Sequence, residues 1–225
     1  MKFGVLRFPG SCDEVDALDA ARRVADAELI WHGQRDLQGA DAIVVPGGFS
    51  YGDYLRAGAI ARFSPAMESV AEFARSGGLV LGICNGFQVL CEAHLLPGAL
   101  LPNANRRFTS RQVELAVERP DTAFTRACAS AERLSIPAKH AWGRYYADER
   151  TLDAMESRGQ VVLRYADGAN FNGSLRDVAG VLNEAGNVFG LMPHPEHAVD
   201  ELTGGSSDGR RIFESIRLAV EGVRA

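Results

Sequence analysis

The sequence predicts an α/β fold: a mostly parallel open sheet flanked by helices, with antiparallel strands added in the C-terminal half. Three observations carry this. Over the first hundred residues, short apolar runs alternate with stretches of helical period, the pattern of parallel strands buried on both faces. Two of those runs end in glycine-rich turns, Pro46-Gly47-Gly48 and Gly82-Ile83-Cys84-Asn85-Gly86, at the carboxyl strand ends where such sheets bind ligands. After Pro97-Gly98 the helical pattern gives way to strand-like runs.

Residues 3–8 are apolar and bounded by Pro9-Gly10, which suits a buried strand. Residues 13–27 follow as a covering helix, with Val15, Leu18, Ala21 and Val24 at helical spacing. Residues 29–32 and 42–45 read as the second and third strands, and Ser64-Pro65 opens a helix over 64–75. Residues 79–83 form the strand that leads into Cys84. Further strands are expected at 113–117, 161–165, 178–183 and 188–192, the last two joined through Glu184-Ala185-Gly186-Asn187 as a hairpin. An amphipathic helix over 208–220 turns Ile212, Phe213, Ile216 and Val220 inward. No repeat, low-complexity linker or composition break divides the chain, so residues 1–225 are expected to form a single domain.

The charge is −5, from 24 Lys and Arg against 29 Asp and Glu, without long runs of one sign. That argues against bulk electrostatic binding to nucleic acid or an anionic membrane. The four cysteines (Cys12, Cys84, Cys91, Cys128) have neither CxxC pairing nor metal-ligand spacing, and the start runs directly into a strand pattern. The expectation is a cytoplasmic chain with free thiols, no metal and no membrane span.

Cys84 sits on a tight strand-to-helix turn, the place where an α/β enzyme carries a nucleophile. The positive end of the helix dipole favours a thiolate there, and backbone N–H groups not used by the helix can receive an oxyanion. The small Gly82 and Gly86 let the turn fold sharply enough to leave the sulfur exposed. In Met192-Pro193-His194-Pro195-Glu196 the prolines are expected to hold the backbone extended. Side chains at i and i+2 then share a side, so Glu196 orients His194 while His194 faces Cys84. Gly47-Gly48 lacks the lysine and spacing of a phosphate loop, so an oxyanion turn is the better reading. Gly204-Gly205-Ser206-Ser207-Asp208 fits either an anion site or a plain N-cap from Ser207 or Asp208. Cys91 reads as core, and His32, His94 and His197 as structural or surface residues.

Gly82-Ile83-Cys84-Asn85-Gly86-Phe87-Gln88 and the late His194-Pro195-Glu196 resemble the class I glutamine amidotransferases over most of the chain. The block from Pro46 through Phe49-Ser50-Tyr51-Gly52-Asp53 to Gly58, and the stretch from Asn172 to Glu196, are similar to the glutaminase subunits of phosphoribosylformylglycinamidine synthases of the small, separate-subunit type. The resemblance implies a flavodoxin-like amidotransferase fold and hydrolysis of L-glutamine to glutamate and ammonia. It implies Cys84 as nucleophile, His194 as general base, Glu196 as the orienting carboxylate, and the backbone N–H groups of Gly48 and Asn85 as oxyanion donors. Gln88 matches a position that holds the substrate glutamine. The resemblance also implies two partners: a large synthase subunit that carries ATP and Mg and converts formylglycinamide ribonucleotide to formylglycinamidine ribonucleotide, and a small bridging accessory subunit. No cofactor is expected in this chain itself.

The sequence departs from the family pattern in two places: His197 stands where arginine is usual, and Lys139-His140-Ala141-Trp142-Gly143-Arg144 replaces Ala-His-Gly-Glu-Gly-Arg. Both bear on contacts with glutamine or a partner rather than on the triad. The rival readings are an amidotransferase subunit of another synthetase, a stand-alone cysteine hydrolase with the same elbow, and a catalytically idle regulatory subunit.

Overall fold

The computed structural model describes residues 1–128 and 133–224. In chain order the elements are β1 (Lys2–Arg7), α1 (Glu14–Arg22), β2 (Asp26–Trp31), β3 (Ala42–Val45), α2 (Pro65–Arg75), β4 (Leu79–Ile83) and α3 (Asn85–Glu92). They continue with β5 (Ala99–Leu101), β6 (Thr109–Val117), β7 (Arg133–His140), β8 (Arg144–Tyr146), α4 (Glu149–Ser157) and β9 (Val161–Tyr165). The chain closes with β10 (Val178–Leu182), β11 (Val188–Leu191), α5 (Glu201–Gly204) and α6 (Arg210–Arg224).

Nine strands form one sheet in the order β2-β1-β3-β4-β11-β10-β9-β6-β7. From β2 to β11 every pairing is parallel, and from β11 to β7 every pairing is antiparallel. β5 and β8 form a separate antiparallel pair. The parallel half is built from strands such as Ala42–Val45, all four residues of which are buried, as strands covered on both faces must be. α1 packs on β1, β2 and α6, and α3 on β3, β4 and β11. The rings of Phe3 and Phe213 meet edge to face at 6.2 Å beneath that layer.

Local chemistry explains the boundaries. Ser64 Oγ accepts the Met67 N–H at 3.4 Å and Pro65 occupies the first turn, so α2 begins where the sequence places it. Helix α3 crosses β3 so closely that a Cβ on Gly86 would stand 1.8 Å from the Val45 carbonyl oxygen. The hairpin between β10 and β11 is present, with Asn183 Oδ1 accepting the N–H groups of Asn187 and Val188.

Several expectations are corrected. The first helix spans Glu14–Arg22 rather than 13–27, because residues from Asp26 onward pair with β1. Its buried face uses Ala17, Leu18, Ala20 and Ala21, and Val15 is 59% exposed. The last helix begins at Arg210, and among the described residues neither the Ser207 nor the Asp208 side chain accepts an N–H of its first turn. Ser206 Oγ takes the Asp208 N–H, and the Asp208 carboxylate reaches across to the Ser135 N–H at 2.9 Å. β5, β7, β8, α4 and α5 are additional elements. Among the described residues no helix is long and apolar enough to cross a membrane.

Candidate active site

The carboxyl ends of the parallel strands converge on one cavity. β3 and β4 pair Val45 with Gly82, and β4 and β11 pair Ile83 with Leu191. The turns that follow these strands therefore bring Gly48, Cys84 and His194 to the same edge. All three line a cavity of about 180 Å³, together with Gln88 from α3 and Lys139 and His140 from the end of β7. That is smaller than the roughly 300–1,000 Å³ of drug-sized sites and suits a metabolite of amino-acid size.

Cys84 holds φ 49° and ψ −103°, a sparsely populated conformation for a residue with a side chain, between the end of β4 and the first turn of α3. Its side chain is only 6% exposed, not open to the surface as the sequence suggests. The aromatic residues Phe49, Phe108 and Trp142 line the same cavity. The sulfur lies 3.9 Å from the Lys139 carbonyl oxygen. Neither the Gly48 nor the Asn85 backbone N–H donates a hydrogen bond among the described residues, and Gly48 is held at φ 135°.

His194 is buried, and its Nδ1 lies 2.6 Å from Glu196 Oε1. An ionised carboxylate only accepts, so Nδ1 carries the hydrogen and Nε2 is the working nitrogen. Nε2 has no partner among the described residues. The backbone that achieves this is not extended: residues Pro195–His197 form a 3-10 turn, which folds Glu196 back under the imidazole. Burial opposes a charge on His194, but the Glu196 carboxylate and the neighbouring Cys84 outweigh it and raise the pKa to about 10.

A second carboxylate, which the sequence does not reveal, stands beside His194. Asp13 precedes α1 and looks like its N-cap, yet it caps nothing. Instead, Asp13 Oδ1 accepts from Lys139 Nζ at 2.6 Å and lies 3.2 Å from His197 Nε2, and Oδ2 lies 3.7 Å from His194 Nδ1. Burial raises the Asp13 pKa, but His197, His194 and Lys139 hold it well below the usual carboxylate range. Lys139 is buried enough to disfavour its charge, and Asp13 more than restores it. His197 is therefore part of the site's support, not merely a surface residue. Asp13, His194, Glu196 and His197 offer ligand-type atoms within 4.8 Å of one another. Their shared hydrogen bonds and the Lys139 ammonium already balance the charge, which makes the group an ion-pair network.

His140 is buried, and its pKa is lowered to about 3 by burial and then by the charge on His194. Asn103 Oδ1 also takes the Gly143 N–H, so it accepts from His140 Nδ1 at 3.0 Å. Gln88 Oε1 accepts from Asn85 Nδ2 at 2.9 Å, and its amide donates to the Trp142 carbonyl. Cys91 is buried in the core, which raises its pKa, and all four cysteines are free. Tyr51 Oη and His32 Nδ1 are 2.8 Å apart, and neither residue lines the cavity.

A buried cysteine on a strand-to-helix elbow, a histidine and glutamate fixed beside it, and a sheet that changes from parallel to antiparallel together define a class I glutamine amidotransferase. The chain belongs to that family: its residues 1–215 match the CobB/CobQ-like glutamine amidotransferase domain. It is 57% identical over 225 residues to phosphoribosylformylglycinamidine synthase subunit PurQ of Streptomyces avermitilis, covering 96% of each chain. It is 56% identical over 220 residues to the PurQ subunit of Mycobacterium tuberculosis, covering 97% of each. Its fold is similar to a chain in the structure of PurLQS from Thermotoga maritima, with TM-score 0.87, 44% identity, and coverage of 96% of this chain and 97% of that one.

Proposed function

We propose that this chain is the glutaminase subunit of a phosphoribosylformylglycinamidine synthase. It hydrolyses L-glutamine and delivers ammonia for the conversion of formylglycinamide ribonucleotide to formylglycinamidine ribonucleotide in purine biosynthesis. The near full-length similarity to PurQ subunits supports the pathway. The observation that carries the chemistry is the Cys84 elbow facing a histidine whose Nδ1 is fixed by Glu196 and whose Nε2 is unpartnered.

The Cys84 thiolate adds to the side-chain amide carbon of glutamine, and the oxygen takes the negative charge against the N–H groups of Gly48 and Asn85. His194, as imidazolium, gives its Nε2 proton to the departing nitrogen, so ammonia leaves and a γ-glutamyl thioester remains on Cys84. The now neutral His194 takes a proton from water as it attacks the thioester. Glutamate is released and the thiolate–imidazolium pair is restored.

Activating the acceptor needs a nucleotide, and the sequence has no phosphate loop. ATP and Mg are therefore assigned to a large synthase subunit, with a small accessory subunit bridging the two in a cytoplasmic complex. Hydrolysis without an acceptor wastes glutamine, so turnover is low in the isolated subunit and rises on assembly. The test is glutamate release by the purified chain, alone and with the synthase subunits, ATP and formylglycinamide ribonucleotide, with Cys84→Ala as control. Stimulated, Cys84-dependent release supports the reading. Release indifferent to those partners points to another acceptor, and none in any mixture points to an idle regulatory subunit.

A further inference from the structure

The turn after β3 carries a carboxylate whose role the triad does not explain. Tyr51, Gly52 and Asp53 follow one another at φ 54°, 70° and 52°, a left-handed run that is costly for residues with side chains. This run places Asp53 in the wall of the cavity that holds Cys84 and Gln88. Its Oδ1 accepts from Asn85 Nδ2 at 3.2 Å, and the same Asn85 amide donates to Gln88 Oε1. Asn85 Oδ1 in turn takes the Ser50 N–H at 3.0 Å, so the amide is locked and cannot turn away.

Asp53 differs from Asp13 and Glu196 in one respect. Asp13 faces Lys139 and His197, and Glu196 faces His194. Asp53 has no cation within ion-pair distance among the described residues, only the Asn85 amide and the Gly58 backbone N–H. Lys139, which lines the same cavity, is already committed to Asp13. Burial accordingly pushes the Asp53 carboxyl upward, against those two hydrogen bonds. A half-buried carboxylate left without a counter-charge in a substrate cavity favours a cationic ligand group.

Free glutamine carries one such group, its α-ammonium, at the opposite end from the amide that Cys84 attacks. We propose that Asp53 binds the α-ammonium of glutamine and so selects the free amino acid over amides that lack that charge. The assignment rests on the glutaminase reading given above. Asp53 takes no part in bond making: it anchors one end of the substrate while the Cys84 elbow addresses the other. Glutamine acylated at its α-nitrogen, which is then neutral, is disfavoured by the same contact.

The test compares glutamine with glutaramate, the same molecule without its α-amino group, as substrates of the chain assembled with its synthase subunits. Wild type and Asp53→Asn are both measured. Asparagine keeps the shape and an oxygen acceptor for Asn85 but removes the charge. The expected result is a roughly 10- to 100-fold loss of kcat/KM for glutamine in D53N, carried mainly by KM, the range a charge-assisted hydrogen bond supplies. Glutaramate turnover should stay within about twofold, and the two changes together should be far from additive. Glutaramate turnover also shows that D53N is folded. Equal losses on both substrates would assign Asp53 to holding the turn and overturn the proposal, as would no loss on glutamine. Wild-type protein that hydrolyses neither amide would overturn the glutaminase reading itself, and this assignment with it.

Discussion

His194 Nδ1 and Glu196 Oε1 stand 2.6 Å apart at the buried base of the cavity, with Glu196 only 3% exposed. This contact fixes the tautomer and favours a positive charge on His194, the charge that the proposed departure of ammonia requires. Glu196→Gln keeps the shape and removes the charge, and the expected loss in kcat is ~100-fold or more. The pH profile gives a second readout. The raised pKa of His194, about 10, keeps the imidazolium across the neutral range, so activity is lost only as pH rises through that value. In E196Q the alkaline loss moves to lower pH, and an unmoved limb would contradict the role given to Glu196.

Cys84 holds its elbow at the expense of stability. At φ 49° and ψ −103° a side chain is strained by about 1–3 kcal/mol, whereas glycine reaches positive φ freely. Both Cys84→Ala and Cys84→Gly remove the sulfur and should abolish turnover. Only C84G relieves the strain, so its denaturation midpoint should exceed that of C84A despite the greater flexibility of glycine elsewhere in proteins. A C84G variant no more stable than C84A would mean that the elbow stores no strain.

The parallel half of the sheet was legible because strands covered on both faces run as unbroken apolar segments, and the turns after β3 and β4 carry their own glycine signals. β7 was not legible. Pro137 interrupts it, and proline normally argues against a strand, but β7 is the last strand of the sheet and tolerates a missing N–H on its free side. α4 is hard to see in the sequence because only Leu152 and Met155 face inward, although Asp148 caps it through the Thr151 N–H. In the site, the Cys84 turn and the His194–Glu196 pair are each local in sequence, so both are legible as motifs. Asp13 is not, because its partner Lys139 lies 126 residues away and its own position mimics a helix cap.

The Asp13–Lys139 pair adjoins His194, and removing one member leaves the other charge uncompensated. Asp13→Asn should destabilise the fold by about 1–3 kcal/mol and lower turnover, because Lys139 Nζ loses its 2.6 Å partner beside His194. The double variant D13N/K139M should recover much of the stability, since neither charge is then stranded. Urea midpoints of the single and double variants measure this coupling directly. Additive losses would show that the two side chains act independently.

His140 makes the site sensitive to acid. Its pKa in the fold is lowered to about 3, against about 6.5 in an unfolded chain, because burial and the charge on His194 disfavour its protonated form. The unfolded chain therefore binds this proton first as pH falls below about 6.5. The stability tied to a neutral His140 is present above that pH and is lost progressively toward pH 3. His194 works in the opposite sense: its raised pKa makes its contribution complete below about 6.5 and lost only as pH rises through about 10. Replacing His140 with Gln keeps a donor for Asn103 and removes the titration. The stability difference between wild type and H140Q should then narrow, or reverse in favour of the variant, on going from pH 7 to pH 4. A difference that stays constant over that interval would show that His140 is not held neutral by its surroundings.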